Sequence, residues 1–141
     1  MIRKALTLFL GYLVMTSLSA ASTISVFVSF SMPETLLKET LTESSQLHIP
    51  IYLNGLYHDS MPETALKLMA LSQQIPNLNL QIDPTLFERF GIHQVPALVV
   101  GKGNNFDVIY GHLSIKEGLM RIAGRGESGF SRHEARELLG E

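Results

Sequence analysis

An apolar strand hands over to a helix at Ser29-Phe30-Ser31-Met32-Pro33-Glu34, and Val95-Pro96 opens another apolar run about sixty residues later. Ile24 to Phe30 is rich in β-branched and aromatic residues and reads as a buried strand. Pro33-Glu34 then supplies residues suited to the first turn of a helix. Pro96 follows Phe90-Gly91-Ile92-His93-Gln94 and precedes Ala97 to Val100, so it falls at the first residue of a strand, where proline is tolerated. A strand running straight into a helix is half of a parallel β-α-β unit, which needs a right-handed crossover and helices over the sheet. The chain is therefore an α/β chain, and 141 residues suffice for one domain.

The other elements follow the same alternation. Ile49 to Leu56 reads as a second buried strand. Leu78, Leu80 and Ile82 alternate with Asn79 and Gln81, as in a half-exposed one. Ala97 to Val100 and Phe106 to Tyr110 flank the turn-rich Gly101-Lys102-Gly103-Asn104-Asn105, which predicts an antiparallel hairpin. Four S-x-x-E segments, starting at Ser31, Ser60, Ser114 and Ser131, fit a capping box in which serine and glutamate each satisfy an orphan amide. Asp83-Pro84 adds a further helix start. Ile115, Leu119 and Ile122 mark the buried stripe of one helix, and Ala65, Leu68, Leu71 and Ile75 that of another. Ser31-Met32-Pro33-Glu34-Thr35 recurs at Ser60 to Thr64, read as two similar capping solutions, and either turn can occupy the sheet edge facing Pro96. Glycines at 124, 126 and 129 predict a mobile tail over 125–141 with a short helix. The order β-α-β-α-β-α-β-β-α is the thioredoxin arrangement: a three-layer α/β/α sandwich with a mixed sheet, over residues 22–124.

Residues 1–21 read as a signal peptide. Arg3 and Lys4 form the basic region, Ala5 to Met15 the apolar one, and Ser19-Ala20-Ala21 the cleavage site. The apolar run is shorter than the roughly 20 residues of a spanning helix, although an uncleaved anchor is the alternative. The expectation is a secreted protein with no stable membrane insertion after processing. A formal net charge of −2 gives no reason to expect nucleic acid as partner. Cysteine is absent, which excludes thiol chemistry, because the thiolate is the reacting species.

Val26 to Pro33, Ile82-Asp83-Pro84-Thr85-Leu86-Phe87 and Phe90-Gly91-Ile92-His93-Gln94-Val95-Pro96-Ala97 together resemble the TrbC family, periplasmic pilin-assembly proteins of F-type conjugative type IV secretion systems. The resemblance covers Ile24 to about Ala123. More distantly, the pattern is similar to the catalytic domain of DsbC-type disulfide isomerases, with Ser31 and Glu34 where their two cysteines lie. The second strand ends in Asn54-Gly55-Leu56, where the family tends to Arg-Gly-Leu, so a basic contact is missing. The resemblance implies the periplasm as the protein's place and a role in assembling the conjugative pilus by protein–protein binding. Its implied partners are other conjugative transfer proteins: a TraW-type protein and, as an alternative, pilin. It also implies a cis peptide bond before Pro96, with the preceding residue offering backbone groups to an extended ligand.

No catalytic residue is expected. Ser31 lacks the oriented general base that a serine nucleophile requires, and a capping role explains its hydroxyl and the carboxylate of Glu34. The five histidines show no metal-ligand spacing, so neither metal nor cofactor is expected. Asp83 is explained as an N-cap. The expected partner-binding groove lies between Ser31, Met32 and Pro33 on one side and Gln94, Val95 and Pro96 on the other, with Met32 as an adaptable apolar contact. The alternative is a periplasmic chaperone or enzyme using the same groove.

Overall fold

The central strand β1 (Thr23–Val28) runs parallel to β2 (Ile51–Leu53) on one side and antiparallel to β4 (Ala97–Lys102) on the other. This computed structural model describes residues 20–112 and 114–141. The expected signal peptide, apart from Ala20 and Ala21, lies outside the described residues. β3 (Leu80–Ile82) continues the parallel half and β5 (Asn105–Tyr110) closes the antiparallel half, giving the order β3-β2-β1-β4-β5.

Strand alternation sorts the core onto two faces. Val26, Val28, Ile51, Leu53, Leu98 and Val100 point to one face, and Phe27, Ala97 and Val99 to the other. The first is covered by α1 (Glu34–Gln46), α2 (Met61–Gln74), α4 (Ile115–Ile122) and α5 (Arg132–Leu139), through Leu37, Leu41, Leu71, Leu119 and Ala135. The second is covered by α3 (Pro84–Arg89), whose Phe87 meets Phe27 edge-on at 4.9 Å between ring centroids. Both parallel crossovers step in one direction along the sheet, so right-handedness places α1 and α2 on one face. The expected three-layer sandwich with a mixed sheet is the observed one.

The helix starts divide. Ser131 and Glu134 form a full capping box, whereas Ser60 and Ser114 accept from the amides three residues on without a glutamate reaching back. Asp83 caps α3 as expected. Ser31 does not cap α1: the N-cap position is Pro33, with no side-chain bond to the first turn. In α2 the buried stripe starts at Thr64, not at the expected Ala65, which is exposed. Thr64 is drawn inward by its hydroxyl, which donates to Ser60 O at 2.6 Å and accepts the Tyr57 amide at 2.8 Å.

The expected mobile tail is instead packed. Phe130 and Ala135 are buried in the main core. Asp107 on β5 accepts the amides of Glu127 (2.8 Å) and Ser128 (2.9 Å) and the Ser128 hydroxyl. A Cβ at Gly126 would collide with this carboxylate, so the close approach requires glycine there. The glycines read as signs of mobility are what let this segment lie against the sheet.

Candidate functional site

The sheet order dictates where the turn after β1 must lie. Because β1 is central, its C-terminal end is flanked by the end of β2 and the beginning of β4. Phe27 pairs with Ala97, so continuing the register two residues sets Ser29 across from Val95. The Val95–Pro96 bond is cis, as expected. On the other flank, β2 leads into Asn54–Asp59, which contains a 3-10 turn over Tyr57–Asp59.

The turn itself is organised by Met32. Its amide donates to Ser29 O at 3.2 Å, and its thioether lies 3.5 Å from the Ser29 amide. The side chain is 8% exposed and belongs to the main core. Met32 is therefore a core side chain, where an exposed apolar contact was expected. Burying it turns Ser31 outward, where its hydroxyl pairs with that of Ser29 at 2.8 Å. Glu34 meets Lys38 one helical turn on at 3.2 Å, and the Lys38 hydrogen bond and charge hold its carboxyl below the ordinary carboxylate range. Pro33 and Gln94 are exposed, Val95 is half-buried against both cores, and Pro96 is buried.

The open cleft at this edge lies on the side that sequence reasoning treated as a competitor. About 470 Å³ of space separates Ser29–Ser31 from Asn54–Asp59. Phe30 and Tyr57 meet edge-on at 5.5 Å across it. Tyr57 stacks on His58 at 3.8 Å, and His58 Nδ1 approaches Glu63 Oε2 at 3.0 Å. His58 and Asp59 both have φ of 51°, a left-handed conformation uncommon outside glycine that recurs at ligand-contacting turns. The Ser31 turn and the Asn54–Asp59 loop that leads to Ser60 thus border one cleft. Pro96 faces a separate hollow of about 170 Å³ beneath α1, which Leu36 and His112 also line. Where one continuous groove from Ser31 to Pro96 was expected, the structure has two separate depressions.

Sequence reasoning missed Tyr57 and His58. Their signal was the buried hydroxyl of Thr64, which anchors the loop and which an apolar periodicity search passes over. Among the described residues, the hydrogen-bond partner of the Ser31 hydroxyl is that of Ser29. The cleft presents the aromatic rings of Phe30 and Tyr57 and the hydroxyls of Ser29 and Ser31.

A central parallel pair, an antiparallel hairpin beyond it and a proline beside the turn after β1 define a thioredoxin-like domain, here without a thiol. The fold is similar to DsbF of MTB, solved in mixed oxidized and reduced forms (TM-score 0.52, 19% identity, 75% of this chain and 81% of that one). It is also similar to StoA from Bacillus subtilis (TM-score 0.50, 11% identity, 70% of this chain and 80% of that one). Within that class, residues 26–124 match the family described as type-F conjugative transfer system pilin assembly protein. Periplasmic protein TrbC of Escherichia coli (strain K12) is 39% identical over 113 residues, 80% of this chain and 52% of that protein. The chain belongs to the TrbC family of type-F conjugative transfer. It spans about half the length of that curated relative.

Proposed function

We propose that this chain acts in the periplasm as a non-catalytic binding protein in assembly of the pilus of a type-F conjugative transfer system. The observation that carries the reading is a thioredoxin-like edge whose cleft is present in a chain with no cysteine. Without a thiolate the edge cannot exchange disulfides. It retains concave shape, aromatic edges and exposed backbone, which suit an extended segment of another protein. The bound protein is another transfer component, of the TraW type in the sharper form of the proposal, with pilin as the second candidate. Ser31, Pro33 and Gln94 contact it directly, together with Tyr57 and His58 across the cleft. Met32, Val95 and Pro96 hold the backbone that presents them.

The test is crosslinking capture from the donor periplasm, with pilus formation scored in parallel. Ser31→Arg and Gln94→Arg change exposed side chains and leave the core intact, so both should lose capture and pili while retaining a native circular dichroism spectrum. Met61→Asp, on the exposed outer face of α2, is the matched control. If Met61→Asp blocks assembly while the two arginine variants behave as wild type, the binding surface lies on α2 and this assignment of the edge is wrong.

A further inference from the structure

The edge strand β5 carries only one of the devices by which sheet edges avoid pairing, the charge of Asp107. Natural edges are shortened, bulged, covered, or interrupted by lysine or proline. β5 runs six residues with one-to-one register against β4 and contains no lysine or proline. Its single charge, Asp107, is engaged by Glu127 and Ser128 on one face of the sheet. The opposite edge, β3, is only three residues long.

Which backbone groups are free follows from the register. The Gly111 amide donates to Pro96 O at 3.1 Å, so Pro96 and Gly111 form a hydrogen-bonded position. Antiparallel ladders alternate, so Ile109, Asp107 and Asn105 direct their backbone groups at β4. Phe106, Val108 and Tyr110 direct theirs away from it. Among the described residues, no loop or turn backbone group and no side chain bonds to the outward groups of these three. Their side chains share one face, and Phe106 remains 39% exposed although it meets Phe90 at 5.0 Å.

We infer that β5 pairs with β5 of a second copy of this chain, antiparallel about a two-fold axis at Val108. The strand is self-complementary in that register. Val108 faces its own counterpart, and Phe106 faces Tyr110 of the other copy, so the three outward-facing residues all fall at hydrogen-bonded positions. Each aromatic Phe106 then lies beside a tyrosine on the same face, a favourable cross-strand pairing. Asp107 falls opposite Ile109, so no like charges meet. The pairing consumes both long edges and closes at two copies. This surface is separate from the cleft proposed for the transfer partner.

Sedimentation of the purified protein over a concentration series tests this. The wild type should reach dimer mass. Val108→Pro should remain monomeric with an unchanged circular dichroism spectrum, because the Val108 amide takes no part in the β4 ladder and edge positions tolerate proline. A placement test needs no such substitution. In a chain without cysteine, Val108→Cys should be joined to its counterpart by a short thiol crosslinker. Asn104→Cys, at the hairpin tip, should not be. A wild type that stays monomeric throughout overturns the inference, as does a folded Val108→Pro that still dimerises or equal crosslinking at both positions.

Discussion

Replacing Glu134 by glutamine should weaken the fold in a way that depends on pH, and the structure sets the size. Glu134 Oε2 accepts the Ser131 amide at 2.8 Å, while Oε1 accepts the Ser22 hydroxyl at 2.8 Å and faces Lys102 Nζ at 3.4 Å. The Ser131 amide contributes most to holding this carboxyl at about 2 against an ordinary 4.5; burial opposes it, and the Ser22, Ser131 and Lys102 groups add to it. At about 1.4 kcal/mol per pH unit, that depression corresponds to at most ~3.5 kcal/mol. The side chain is 28% exposed, so solvent screening reduces the expectation to about 1–2 kcal/mol. The sign is that of a depressed carboxylate: the contribution is complete above the unfolded-state value and is lost as pH falls through the folded-state value. Urea unfolding of wild type and Glu134→Gln should therefore differ by about 1–2 kcal/mol at pH 7. The two curves should converge between about pH 5 and pH 2. Equal stability at pH 7, or a difference that persists undiminished at pH 2, would refute the reasoning that charge-assisted bonds at Glu134 fasten α5 and Ser22 to the sheet.

Two further outcomes are expected. Ser60→Ala should cost about 1 kcal/mol by loss of an N-cap, whereas Ser31→Ala should change stability by less than about 0.5 kcal/mol because Ser31 caps nothing; paired urea titrations distinguish them. Asp107→Ala should release the segment joining α4 to α5, at a cost of about 1–3 kcal/mol for the amides left without their acceptor. It should be read as faster hydrogen exchange at Glu127 and Ser128, both of which now bond the carboxylate. That carboxyl is raised by partial burial but held below its ordinary value overall by the Ser128 hydroxyl and the Ser128 and Glu127 amides, so this docking should loosen as pH falls.

The two Ser-Met-Pro-Glu-Thr segments show where sequence stops specifying structure. Both follow a strand and both precede a helix, and that much was legible, as were the alternating strands, the cap at Asp83 and the hairpin. Their local chemistry is the same, yet Met32 is 8% exposed and Met61 is 62% exposed. The difference is long-range. β1 is central, so the residue after its turn meets a core closed by several helices, and burying a thioether there outweighs the bond Ser31 would make as a cap. β2 lies one strand nearer the edge, its methionine finds no cavity to fill, and Ser60 keeps its cap. Sheet order decides the site in the same way. Periodicity identifies a strand but not its neighbours, so the Ser31 and Ser60 turns read as rivals for one position. With β1 between β2 and β4, each neighbour brings its own loop to the turn. The cleft at Tyr57 and the hollow at Pro96 are then two consequences of one strand's central place.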